Sequence, residues 1–197
     1  MKLEFLTFDF DKFAAEMANL KEKKHFDYLV TIIGEDFGEE GLGCVYILEN
    51  TENHERQAVK ILAKSQVCGD GMSSNGTGDT DGQQMYFIPS VISLWKDADL
   101  LEREVYDFFG IVFLGHPDMR RLFLRSDFKG HPFRKNWKYD DSYTLEDDNE
   151  PDYGLEYFID KDGCLQSKQN RLFTDDDYVV NIGPQHPSTH GVLRLQT

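Results

Sequence analysis

The residues best equipped for chemistry are crowded into two short stretches. The first is Glu102-Arg103-Glu104-Val105-Tyr106-Asp107, running into Gly110-Ile111 and followed at once by Gly115-His116-Pro117-Asp118-Met119-Arg120-Arg121. The second, Phe128-Lys129-Gly130-His131-Pro132-Phe133-Arg134-Lys135, repeats the Gly-His-Pro turn and again ends in two cations. Glu104 and Asp107 stand three apart, close enough to share one helix face. With His116 and His131 they are the donor types of a metal or acid–base site. The same side chains also make an ion-pair network. Arg103 and Asp107 have the four-residue spacing of helix-surface pairs, and Arg120 and Arg121 can neutralise other carboxylates. Exposed pairs contribute roughly 0–1 kcal/mol each, so such a network suits a partner-binding surface better than a stabilising role. Glu102, Arg103, Glu104, Asp107, His116, Arg120, Arg121, His131, Arg134 and Lys135 are therefore the candidate interface residues.

The elements that must position them form an α+β pattern. A helix is predicted over 11–25, with Phe13, Met17 and Leu20 on one face. Strands are predicted at 26–33, 44–48 and 58–63, the last two joined by a polar turn. Residues 69–84 change to Gly, Ser, Asn, Thr and Asp, too polar to offset their ordering entropy, and are expected to be a disordered loop. A strand at 85–88 then leads to a helix that Pro89-Ser90 should open and Gly110 should close, with Leu94, Ala98, Leu101, Val105 and Phe108 at helical spacing. Ile111 to Leu114 forms a short strand. A hairpin around Asp160-Lys161-Asp162-Gly163 and a final strand at 178–182 complete the pattern. The predicted fold is a small mixed or antiparallel sheet packed against helices, with an irregular acidic C-terminal extension. The divisions are 1–138 for the domain, 139–180 for the extension with its hairpin, and 181–197 for a further beginning.

Composition narrows the function. The 197 residues are 40% hydrophobic and 13% aromatic, which suits a globular chain. The formal charge of −15 disfavours nucleic acid. Residues 139–177 hold 13 acidic against 3 basic side chains, whereas 120–138 is locally basic and could receive an acidic partner or the chain's own tail. The three cysteines lack C-x-x-C spacing, which suits a reducing compartment and argues against a local zinc or iron–sulfur site. No stretch approaches 18 uninterrupted apolar residues, and the N-terminus turns acidic too early for a signal peptide. The expectation is a soluble intracellular chain that reaches a membrane only through partners.

The run Leu101-Glu102-Arg103-Glu104-Val105-Tyr106-Asp107-Phe108-Phe109-Gly110-Ile111, with Phe113 and Gly115-His116-Pro117 after it, resembles the signature of the C-subunit family of respiratory complex I, the 30-kilodalton hydrophilic subunit. Gly130-His131-Pro132-Phe133-Arg134-Lys135 resembles that family's second motif, and the resemblance extends over about residues 1–180. Three segments depart from the family pattern: Ala98-Asp99-Leu100 before the Glu-Arg-Glu, Lys135-Asn136-Trp137-Lys138 after the second motif, and the Gly-rich stretch 69–84, which looks like an insertion. The resemblance implies an α+β scaffold of the peripheral arm that binds no cofactor itself, in a holoenzyme using NADH, FMN, iron–sulfur clusters and quinone. It implies as partners three other hydrophilic subunits of the complex: the quinone-site D protein, its iron–sulfur neighbour the B protein, and the I protein. The place implied is the cytoplasmic face of the bacterial inner membrane.

From about Val180 the chain resembles the start of the quinone-site D protein. There His186 and His190 stand in a turn between Gly183-Pro184 and Gly191, and a neutral imidazole can donate a hydrogen bond to a quinone carbonyl and supply a proton. The resemblance places His190 at the quinone headgroup with His186 nearby, in a pocket that this length of chain does not complete. The expectation is thus a C–D fusion truncated just after the start of its D part. The rivals are the corresponding C-like part of a membrane-bound hydrogenase of the formate hydrogenlyase type, and a metal hydrolase built on Glu104, Asp107, His116 and His131.

Overall fold

The computed structural model describes residues 5–67, 84–125, 128–138, 153–161, 163–171, 179–181 and 194–196. The expected loop at 69–84 therefore lies almost wholly outside the described residues, as do most of the acidic extension and both His186 and His190.

Strand β1 (Phe5–Thr7) leads into helix α1 (Phe10–Lys24). Phe13, Met17 and Leu20 recur at i, i+4 and i+7 and are the residues α1 buries. The helix stops at His25, which adopts the left-handed conformation (φ 58°), and the Phe26 N–H closes back onto the Leu20 carbonyl at 3.1 Å. Strands β2 (Tyr28–Asp36), β3 (Leu42–Glu49) and β4 (Arg56–Leu62) form an antiparallel meander, and β1 adds to β4 in parallel, giving the order β1-β4-β3-β2. One face of this sheet carries Leu29, Ile32, Cys44, Tyr46, Leu48, Val59 and Ile61, all buried together with the apolar stripe of α1.

A second sheet is built from β5 (Lys64–Val67), β6 (Gln84–Pro89) and β7 (Ile111–Leu114), in that order. Strands β6 and β7 run parallel, so their connection must cross over, and helix α2 (Ala98–Phe109) is that crossover. Phe87, Ile88, Ile111, Val112 and Phe113 are all buried, the continuous apolar reading of strands covered on both faces. Phe10 of α1 meets Phe87 edge-on at 5.4 Å between ring centres, joining the two sheets. Helix α2 lies so close to β2 that a methyl group on Gly34 would stand 2.5 Å from the Phe109 ring. The hairpin β8 (Tyr153–Ile159) and β9 (Leu165–Arg171) buries Tyr157 and Leu165 and is tied to β5 by Gln66 donating to the Gly163 carbonyl at 2.6 Å. Its turn is held by Asp160, which accepts from the Cys164 N–H at 2.8 Å. Strands β10 (Val179–Asn181) and β11 (Arg194–Gln196) pair antiparallel.

Two expectations need correction. The helix predicted from Pro89-Ser90 begins only at Ala98. Pro89 remains in β6 opposite Leu114, the Ser90 N–H donates to the Leu114 carbonyl, and residues 91–97 are turns that still bury Val91 and Trp95. The apolar spacing was that of burial, and a strand-end hydrogen bond overrode the helical start. The second correction is the single sheet, which is divided among four-stranded, three-stranded and two-stranded units.

The charged motif as a candidate interface

Three motif side chains turn inward. Glu102, Asp107 and His116 are each fully buried. Glu102, on the first turns of α2, accepts from the Ser90 hydroxyl at 2.6 Å and the Val91 N–H at 2.7 Å. It thereby fastens the preceding turns to the helix. Burial pushes its carboxyl up to about 7, even though those two hydrogen bonds favour the charged form. His116 accepts the Asp118 N–H at its Nδ1, 3.0 Å away, which leaves the proton on Nε2 to be donated to the Asp99 carbonyl at 3.2 Å. Burial lowers its pKa and keeps the ring neutral.

Asp107 sits at the last turn of α2 and organises the chain that follows. Its Oδ2 accepts three successive backbone N–H groups, from Leu122 (3.1 Å), Phe123 (2.7 Å) and Leu124 (2.9 Å), while Oδ1 pairs with the Arg121 guanidinium at 2.9 Å. Successive amides around one carboxylate form an anion-binding concavity. Here the anion is the protein's own. Arg121, only 7% exposed, reaches on with its other nitrogen to the Phe128 and Gly130 carbonyls at 3.0 and 2.8 Å. One buried ion pair thus pins residues 121–124, Phe128 and Gly130 to the helix.

The second motif satisfies the carbonyls that a helix end leaves without partners. The Tyr106 carbonyl accepts the Gly110 N–H, that of Asp107 accepts Arg121 and His131, that of Phe108 accepts the Phe133 N–H, and that of Phe109 accepts Arg134 at 2.6 Å. His131 must carry its proton on Nδ1, 2.9 Å from the Asp107 carbonyl. Burial pushes its pKa down to about 3, so the ring stays neutral and holds that tautomer. The cations also complement the negative end of the helix dipole. Gly110 makes the arrangement possible: it has φ 68°, and a side chain there would run into Arg134 and His131.

The expected residues divide accordingly. Arg103 donates to the Arg120 and Arg121 carbonyls and approaches Asp118 at 3.9 Å, so the predicted Arg103–Asp107 pair gives way to Arg121–Asp107. Arg120 pairs with Asp118 at 2.8 Å. Glu104 and Lys135 differ from these. Both are exposed, and the Lys135 N–H donates to Asp36 at 2.8 Å. The four donors of the metal reading are not brought together, because Asp107, His116 and His131 are occupied by the backbone. Among the described residues no three His, Cys, Asp or Glu side chains are placed to hold an ion.

Sequence reasoning missed an aromatic stack. The Phe108 ring stacks on Phe123 (5.7 Å, 19° between planes) and on Phe133 (4.4 Å, 11°), and the latter two are 65% and 57% exposed. The available signal was two phenylalanines in segments otherwise read as polar. Asp118, which anchors two arginines, was legible only as a neighbour of His116.

These features define a small α+β domain whose motif charges brace the end of one helix and leave aromatic rings on the outside. Residues 6–143 match the family described as the respiratory-chain NADH dehydrogenase 30 kDa subunit. The chain belongs to that family, the C component of NADH:quinone oxidoreductase. It is 43% identical over 189 residues to the C/D subunit of the NADH-quinone oxidoreductase of Phocaeicola vulgatus, covering 94% of this chain and 33% of that protein. The C/D subunit of Bacteroides fragilis is 42% identical over 193 residues, again with 33% of the relative covered. The separate C subunit of Chloroherpeton thalassium is 37% identical over 123 residues, 62% of this chain and 44% of that one. The chain thus spans a third of the length of these C/D relatives. Among solved structures, a chain of an archaeal membrane-bound sulfane sulfur reductase superposes with a TM-score of 0.52 at 20% identity, covering 76% of this chain and 86% of its own. That likeness is one of fold. No helix among the described residues is long and apolar enough to cross a membrane.

Proposed function

We propose that this chain is a scaffold of the peripheral arm of proton-translocating NADH:quinone oxidoreductase, docking the quinone-site D protein and contacting the B and I proteins. In this reading it binds no cofactor. NADH, FMN, iron–sulfur clusters and quinone belong to the rest of the assembly, and the chain sits peripherally at the cytoplasmic face of the bacterial inner membrane. The observation that carries the reading is the use made of the motif: Asp107, Arg121, His131 and Arg134 all engage backbone groups of the chain itself. Such a site is arranged to fix a shape. The family membership supplies the assembly, and the double designation of the relatives, C/D, favours the quinone-site unit as neighbour. The same names favour a quinone enzyme over a membrane-bound hydrogenase.

The test is Asp107→Ala in the native gene, followed by isolation of the NADH-oxidising membrane complex. A scaffold role requires less assembled complex with unchanged quinone reduction per assembled copy. Full assembly with lost turnover would make the motif catalytic and overturn the reading.

A further inference from the structure

We propose that the Phe123–Phe108–Phe133 stack is the contact by which this chain seats on the quinone-site unit, through an apolar patch on that unit bordered by carboxylates. The inference rests on the scaffold reading and names its docking surface. Two nearly parallel ring contacts create an apolar face in which Phe123 and Phe133 are 65% and 57% exposed. Exposed phenylalanines on loops are ordinarily loosely held, but these two are fixed from behind. The Phe123 N–H is one of the three donors on buried Asp107, and the Phe133 N–H donates to the Phe108 carbonyl. Both exposed rings thus stand on backbone locked by the Asp107–Arg121 pair and by the helix-end carbonyls. Rigid aromatic side chains that lose little entropy on contact are what interface hot spots are made of.

The surroundings indicate the partner's chemistry. Between 119 and 138 the sequence carries seven Lys and Arg against Asp127 alone, in a chain of net charge −15. Lys129, Lys135 and Lys138 are exposed. An apolar face carried by a basic segment calls for carboxylates beside an apolar centre opposite, an arrangement that steers association and sets register more than it adds affinity. The C/D relatives carry both designations on one polypeptide. Tethering raises the effective concentration of the two surfaces and allows a patch of this modest size to suffice.

The experiment places p-benzoyl-phenylalanine at position 123 of the native chain, in cells that assemble the whole complex, and irradiates the purified complex. The expected result is a covalent product mapping to a quinone-site peptide that carries Asp or Glu beside apolar residues, and its loss when the chain also carries Phe133→Ser. Crosslinks confined to this domain, to a second copy or to another component of the complex, with the chain still present, overturn the patch while leaving the scaffold reading intact. Absence of the chain from the complex overturns both.

Discussion

At the scale of single residues, burial assigns opposite pH dependences to two side chains at the two ends of the same helix. Glu102 has a folded pKa of about 7, raised above its usual value of 4.5. Its contribution to stability is complete below about pH 4.5 and is lost as the pH rises through 7, because ionisation is then easier in the unfolded chain. Glu102→Gln keeps the acceptor for Val91 while removing the charge. The expected outcome is a urea-denaturation midpoint that falls less between about pH 5 and 8 than in the parent. His131, held down to about 3, behaves conversely. Being harder to protonate when folded, it costs nothing above about 6.5 and destabilises increasingly as the pH falls toward 3. Asp107→Ala should be the most damaging single change, on the order of 3–5 kcal/mol, since it strands a buried guanidinium and removes the acceptor of three amides. Urea denaturation at pH 7 measures it. The sequence announced these residues by density alone. Which of them turned inward could not be read from spacing, because the Arg121 and His131 partners lie 14 and 24 positions away in the chain.

At the scale of elements, the structure depends on two glycines that let α2 approach its neighbours. Gly34 lies beneath the Phe109 ring, and Gly110 ends the helix in the left-handed region. Gly34→Ala is expected to cost about 1–3 kcal/mol through overpacking of the helix against β2. Gly110→Ala should cost more, adding displacement of Arg134 and His131 to roughly 1–2 kcal/mol of left-handed backbone strain. Thermal melting of both variants decides the order. The amides of Leu122, Phe123 and Leu124 should also exchange slowly for residues outside any helix or strand, because a buried carboxylate accepts all three. Helix α1, the meander and the hairpin were legible from periodicity and turn chemistry. The start of α2 was not: the spacing of Val91, Leu94 and Trp95 records burial against a core, which a run of turns achieves as well as a helix.

At the scale of the whole molecule, the charge is divided between a basic surface near the end of α2 and a strongly acidic chain elsewhere. A contact that relies on that division should weaken with salt, since exposed charges are screened beyond about 10 Å at 0.1 M. Retention of the chain in the isolated complex is therefore expected to fall between about 0.05 and 0.5 M salt less steeply for a Lys129→Glu, Lys135→Glu variant than for the parent, from a start on the order of tenfold lower. Equal retention would remove charge from the account of docking. One feature of the first sheet bears on how the molecule is made. Phe5 pairs with Ala58 in parallel, so β1 leaves the ribosome ahead of its partner strand and has no place until β4 has followed it. At about 5–20 residues per second that interval is roughly 3–10 s. During it the N-terminal strand is unpaired, and afterwards the outer edge of β4 stays open until β1 arrives. Synthesis speed over the codons up to β4, rather than any property of the finished fold, then sets how long this chain is exposed to wrong strand partners.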